Sequence, residues 1–358
     1  MKYQPLKDIA QIVMGQSPDS NSYNDLGDGL PFFQGNADFG ELYPSERIWC
    51  NEPKKIANPN DILISVRAPI GALNYANKRC CIGRGLAAIT VTNPAERNYV
   101  FYLLKAKNAE LNHQGTGSTF KAIGKNVLEE IAVPIVPPET QLYIMNLMNI
   151  TEKIIAKRKQ ELKYFDDIIK ARFVEMFGDP VANPKNWRKL QLQQLVTQDC
   201  SISYGIVQTG DDVENGIPVF RPVDIVGRIP TRNELKRTTN EISNRYKRTA
   251  LKGRELLITV RANIADTFIA GADFNGCNVG RGIVPIRTDE SKMRLEFLKA
   301  LIDCESLNRY IKTLAKGITL IQLNMEDLRG IELILPPINL QDDYIKLYKQ
   351  IDKSKVAV

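Results

Sequence analysis

The sequence predicts an α/β (α+β) chain: two homologous globular domains separated by long amphipathic helices that pair as an antiparallel coiled coil. Three observations predict it. Four blocks recur in the same order in the two halves of the 358 residues, short β-branched runs punctuate each half, and the stretch between them lacks Gly and Pro. A length of 358 residues also suits two domains better than one.

The repeat begins with Leu30-Pro31-Phe32-Phe33-Gln34-Gly35-Asn36-Ala37-Asp38-Phe39-Gly40, which returns as Ile217-Pro218-Val219-Phe220-Arg221-Pro222-Val223-Asp224-Ile225-Val226-Gly227. Next, Asp61-Ile62-Leu63-Ile64-Ser65-Val66-Arg67-Ala68 is echoed by Glu255-Leu256-Leu257-Ile258-Thr259-Val260-Arg261-Ala262. Ile82-Gly83-Arg84-Gly85 returns as Val279-Gly280-Arg281-Gly282, and Gly117-Ser118-Thr119 as Gly317-Ile318-Thr319. Each copy closes on a double proline, Pro137-Pro138 and Pro336-Pro337. The offset between copies drifts, which places the insertions between blocks, where loops tolerate them. These limits divide the chain into 1–138, a helical spacer 139–180, a second domain 181–337 and a second, shortened helical region 338–358.

Inside each copy the runs around Ile62–Val66 and Leu256–Val260 read as buried strands. Gly71, Gly83 and Gly85 mark turns between strands. Tyr99–Leu111 and Leu295–Leu314 carry helical spacing, so each copy mixes sheet with marginal helices.

The spacer runs from Leu142 to Phe177 without Gly or Pro, and its first stop signals are Gly178 and Pro180. Met148, Ile155, Leu162, Ile169 and Met176 recur every seventh residue among charged neighbours, which describes a helix whose apolar seam wants a partner helix. Its length is about 54 Å at ~1.5 Å per residue. The natural partner is the region Gln341–Lys355, with Tyr344, Ile345, Tyr348 and Ile351. That segment is shorter than the spacer, so the partner comes in cis or from another chain.

Composition narrows the function. Lys and Arg outnumber Asp and Glu by 48 to 41, a net charge of +7 that is compatible with a polyanionic partner. Between Arg228 and Arg254 nine basic residues face only Glu234 and Glu241, either a phosphate-neutralising run or a solvated loop. No apolar stretch approaches the ~18 residues of a membrane helix, and the N-terminus has no secretory pattern, so a cytoplasmic location is expected. Cys50, Cys80, Cys81, Cys200, Cys277 and Cys304 form no Cys-x-x-Cys pair and read as reduced structural thiols. The single histidine, His113, reads as a loop residue. No phosphate loop, dinucleotide fingerprint or amino-methyltransferase motif occurs, so no catalytic residue, no metal site and no cofactor are expected on this chain.

If the polyanionic partner is duplex DNA, the repeat also sorts the candidate contacts. Readers of different base sequences share scaffold and phosphate contacts and differ where bases are read. The shared pairs Arg67/Arg261 and Arg84/Arg281 are therefore phosphate contacts or internal braces. Gln34 against Arg221 is a divergent position within a matched block; Gln suits adenine and Arg suits guanine in the major groove. Lys121, Arg232 and Gln16 are further candidates.

At these residues the chain resembles the DNA specificity (S) subunits of type I restriction–modification systems, over nearly its whole length. The local carriers are Phe173-Val174-Glu175-Met176-Phe177-Gly178-Asp179-Pro180, the following Asn183-Pro184-Lys185-Asn186-Trp187, and the run from Ile131 to Gln141. The resemblance implies that the repeated domains are target-recognition domains, each reading half of a split double-stranded DNA site. It implies that the helices set the spacing and dock methyltransferase (M) subunits, joined by restriction-translocase (R) subunits. S-adenosylmethionine would then sit on M subunits, and ATP with Mg²⁺ on R subunits. The alternatives are a non-catalytic two-domain scaffold binding another polyanion, and a fused restriction-modification enzyme.

Overall fold

The computed structural model describes residues 2–116, 121–227, 230–317 and 321–356. The chain forms two compact units, Met1–Ala156 and Lys157–Val358, with the boundary falling inside one continuous helix, Pro138–Phe177. The recurring Gly117–Thr119 and Ile318–Thr319 motifs lie outside the described residues, as does Arg228.

In the first unit Ile62–Ser65 sits within a four-stranded antiparallel sheet between Leu86–Val91 and Leu73–Tyr75, with Ala10–Met14 on the outer flank of Leu86–Val91. All four residues of Ile62–Ser65 are buried, which is why the strand reads as an unbroken apolar run rather than an alternating one. A second sheet of five short strands contains Leu30–Phe33, whose end runs parallel to Cys80–Ile82 through the pairs Phe32–Cys81 and Phe33–Ile82. Tyr3–Pro5 pairs with Ala132–Pro134 and ties the start of the unit to its end.

The second unit rebuilds the same pieces. Glu255–Thr259 lies between Thr267–Ala270 and Ile283–Ile286, and Val219-Phe220 runs parallel to Asn278-Val279. Lys189–Gln191 pairs with Glu332–Ile334 as Tyr3–Pro5 does with Ala132–Pro134. Single bonds recur as well. The Leu6 N–H donates to the Ile131 carbonyl at 2.9 Å, and Leu192 to Ile331 at 2.9 Å. The duplication is therefore one of backbone hydrogen bonding, which sequence divergence leaves untouched.

Helices sit at the margins, but not as single rods. Tyr99–Leu111 is divided into Arg97–Ala106 and Asn108–Gln114, and Leu295–Leu314 into Leu295–Asp303 and Glu305–Thr313. The second break falls at Cys304, whose extended ψ of 129° no helix accommodates. His113, expected in a loop, stands in the last turn of Asn108–Gln114.

The spacer seam requires a correction. Only its C-terminal end is packed: Phe173 and Phe177 are buried in the second unit's core, with Ile169 and Met176 against it. There they meet the closing helix, Ile338–Val356, through Tyr344, Ile345 and Tyr348. The pairing is antiparallel, since Phe173 lies against Tyr344 while the Lys355 ammonium reaches Asp166 at 2.5 Å. Met148, Ile155 and Leu162, expected to pack on this helix, are 36%, 48% and 37% exposed. Over the described residues the closing helix has 19 residues against 40, about 28 Å against about 60 Å, and Lys355 is level with Asp166. Among the described residues, the part of the expected antiparallel pairing made in cis is the contact between 166–177 and 344–355. At its other end the spacer is held by the first unit, where Met145 is buried and Glu152 accepts from Tyr102 (2.7 Å) and Lys105 (2.7 Å).

Candidate nucleic-acid interface

Three sequence candidates meet in the first unit. Strand Leu30–Phe33 is buried from Pro31 onward and ends at an exposed Gln34. Beside that end runs Gly83-Arg84-Gly85. The Gly83 N–H donates to the Phe33 carbonyl at 2.8 Å, and the Gly85 N–H to the Gln34 carbonyl at 3.0 Å. A Cβ on Gly85 would stand 2.3 Å from the Gln34 carbonyl oxygen, so only glycine permits this approach. The motif therefore pins Arg84, exposed on its loop, next to Gln34.

Arg67 arrives from the other sheet. Val66 donates to the Gly85 carbonyl at 2.9 Å, bringing the exposed Arg67 against the same loop. Gln34, Asp38, Arg67 and Arg84 line one cleft of about 400 Å³. The exposed Lys121 adjoins it, because Ala68 donates to the Lys121 carbonyl at 3.1 Å and Ala122 bridges Arg67. Gln16 is exposed one residue before Ser17, whose hydroxyl accepts from the Arg84 N–H at 3.3 Å. One amide, three cations and a shallow concavity form a surface suited to phosphates and base edges.

The second unit repeats the frame with different occupants. Gly280 donates to the Phe220 carbonyl at 2.8 Å and Val260 to the Gly282 carbonyl at 2.8 Å. Those bonds set the exposed Arg281 loop beside Arg221 and bring Arg261 to the same place. Arg261 keeps a buried Nε with no hydrogen-bond partner among the described residues. Arg221 is clamped by Asp224, and this contact raises its already high pKa, against a smaller opposing effect of burial, so the guanidinium is cationic throughout. Arg232 lies elsewhere: its Nη1 donates to the carbonyls of Asp273 (2.9 Å) and Asn275 (2.6 Å), a brace across a turn.

The basic run is far less free than its count suggests. Lys252 pairs with Asp199, Arg245 with Glu241, and Arg254 with Glu290 (3.1 Å) and Glu296 (3.3 Å). Lys236 and Arg237 donate to the carbonyls of Gly210 and Glu214. Most of the compensating acids come from outside the run, so a linear charge count misses them. Lys247 and Arg248 remain exposed.

Sequence reasoning missed four carboxylates. Asp61 and Glu255, 3% and 0% exposed, cap the turns before the central strands: Asp61 accepts from the Asn58 N–H at 2.7 Å, Glu255 from the Lys252 N–H at 2.7 Å. Asp38 and Asp224 cap the strand ends that carry Gln34 and Arg221, accepting from their N–H groups at 2.7 and 2.8 Å. Among the described residues no group of three or more His, Cys, Asp or Glu side chains could hold a metal ion, and no helix is long and apolar enough to cross a membrane.

A duplicated α/β domain on a helical spacer defines the class, and comparison with known proteins gives the family. Residues 1–164 and 184–357 match the type I restriction modification DNA specificity domain, and the chain belongs to that family. Over 163 residues it is 45% identical to a protein of Methanocaldococcus jannaschii provisionally named the type I restriction enzyme MjaX specificity subunit, covering 45% of this chain and 35% of that one. It is 20% identical to the type I restriction enzyme EcoBI specificity subunit of Escherichia coli over 96% of this chain and 77% of that protein. The chain thus spans about a third of its MjaX relative. The crystal structure of a type I restriction-modification system S subunit from M. genitalium matches 99% of this chain and 90% of that chain, with a TM-score of 0.52 at 13% identity, a likeness of fold.

Proposed function

We propose that this chain is the DNA-reading subunit of a type I restriction–modification complex. Each unit reads one half of a split duplex site, and the Pro138–Phe177 helix fixes the separation of the halves. The chain performs no chemistry itself. Methyltransferase subunits carrying S-adenosylmethionine and restriction-translocase subunits using ATP and Mg²⁺ supply methylation and cleavage in the cytoplasm. The observation that carries this reading is the convergence of Gln34, Arg67 and Arg84 on one cleft, rebuilt around Arg221, Arg261 and Arg281. Family membership of both halves supports it further.

Readers held one or more helical turns apart sample grooves about 34 Å apart, and a helix holds such a span where a flexible linker would not. The test is binding of the full chain to duplexes selected from a randomised pool. A split motif whose binding is lost when two base pairs are inserted between its halves supports the reading. Salt-sensitive binding without any motif overturns it in favour of a general polyanion binder.

A further inference from the structure

The two units share a carboxylate in the same place, and it holds a different arginine in each. In the second unit Asp224 Oδ2 accepts from the Arg221 N–H (2.8 Å) and from Arg221 Nε (3.0 Å), while Oδ1 accepts from Nη2 (2.9 Å). In the first unit Asp38 Oδ2 accepts from the N–H of Gln34 (2.7 Å) and of Gly35 (3.3 Å), and Oδ1 accepts from Nη2 of Arg47 at 2.7 Å. The side chains of Asp38 and Asp224 are 18% and 10% exposed; those of the arginines they hold remain 59% and 43% exposed. Arg47 lies outside every recurring block, so it reaches the site from a part of the sequence the repeat does not mark.

The donors left over differ. A guanidinium has five N–H groups. Asp224 engages the edge formed by Nε and Nη2, which leaves the end-on pair, one hydrogen each on Nη1 and Nη2, parallel and unengaged among the described residues. That fork matches O6 and N7 of guanine. In the first unit Nη2 of Arg47 also donates to the Ala37 carbonyl at 2.8 Å, so both its hydrogens are taken. Arg47 then has no complete end-on fork, and its three remaining N–H groups, one on Nε and two on Nη1, suit phosphate oxygens. Gln34, untouched by the carboxylate through its side chain, is left to read.

We propose that this carboxylate socket decides how the equivalent position of each unit reads DNA. Asp224 is a positioning residue that presents Arg221 to a guanine. Asp38 is filled by Arg47, which contacts phosphate and leaves Gln34 as the reader of an adenine. This rests on the DNA-reading function proposed above and names the specificity-determining residues within it.

The experiment selects bound sequences from a randomised duplex pool with the full chain and with Asp224→Ala, Asp224→Asn, Arg221→Lys and Arg47→Met variants. Asn keeps an acceptor for the Arg221 N–H, so D224N separates loss of the clamp from loss of the strand-end cap. Loss of a bidentate pair costs roughly 1–3 kcal/mol of discrimination. The expected result is a drop of roughly tenfold or more in guanine preference at one position of one half-site for D224A, D224N and R221K, with the other half-site intact. Arg47→Met should weaken binding to all sequences and leave the motif unchanged. A wild-type motif retained by D224N and R221K overturns the socket, and so does a changed base preference in R47M. Failure of the wild-type chain to enrich any motif instead sinks the DNA-reading function, and the socket with it.

Discussion

Phe173 on the spacer helix meets Tyr344 on the closing helix edge to face, with ring centroids 5.5 Å apart and planes at 80°. Phe177 and Phe297 complete the cluster, at 4.8 Å from each other. This contact fastens the end of the spacer into the second unit, whereas among the described residues no such partner covers the middle of the same helix. Two residues of one apolar stripe should therefore behave oppositely. Phe173→Ala should cost about 3–5 kcal/mol of stability in the second unit. Ile155→Asp should cost no more than about 1 kcal/mol. Denaturant unfolding followed by fluorescence reads both, and comparable losses would show that the seam is packed along its length.

The Gly85 loop tolerates no side chain. A Cβ there would meet the Gln34 carbonyl at 2.3 Å, and one on Gly282 would meet Pro222 Cγ at 2.4 Å. Gly85→Ala should destabilise the first unit by about 1–3 kcal/mol through the forced shift. DNA binding should fall with it, because Arg84 and Gln34 move apart. A variant with unchanged melting temperature and unchanged binding would contradict the close approach.

Phosphate and base contacts separate by salt. Replacing Arg84 with Ala should weaken binding to every duplex and lower the slope of log K against log salt by about 1. Gln34→Ala should instead relax preference at one base pair and leave that slope nearly unchanged. The measurement is a fluorescence-anisotropy salt titration on matched and mismatched duplexes, and exchanged phenotypes would reverse the assigned roles.

Burial pushes the Cys80 thiol up to about 12 and the Cys81 thiol up to about 11. With the folded pKa raised, thiolate is scarce below those values and the nucleophile is absent at pH 8. Cys50, Cys200 and Cys277 are also buried, while Cys304 is partly accessible. A thiol reagent at pH 8 should modify at most Cys304 rapidly in the native chain and all six cysteines once it is unfolded. Rapid native labelling of Cys80 or Cys81 would contradict their burial.

Much of the fold was legible because the recurring blocks are those with the strictest steric demands. Ile62–Ser65 and Leu256–Thr259 are buried on both faces, and Gly83 and Gly85 cannot vary without displacing Gln34. The apolar heptad of the spacer announced a helix, yet a period shows only which face is apolar; the reach of the partner decides how much is covered, and Lys355 already lies opposite Asp166. The site was half legible. Gln34, Arg67 and Arg84 were marked by the repeat as separate candidates, and that they line one cleft was not readable from it. Asp38 and Asp224 were hidden because they stand one residue out of step when the blocks are laid over each other, four residues after Gln34 but three after Arg221. Arg47 gave no signal, since a contact to Asp38 made from another loop leaves no trace in spacing. The basic run misled for the same reason: Asp199, Glu290 and Glu296 neutralise it from a distance in sequence.

The strand end that displays Gln34 or Arg221 is fastened by main-chain atoms, through Phe33 to Gly83 in one unit and Phe220 to Gly280 in the other. Such fastening is indifferent to the side chain it presents. Exchange of that single residue leaves the main-chain architecture standing, so the side chain on display can change without a foldability barrier to cross.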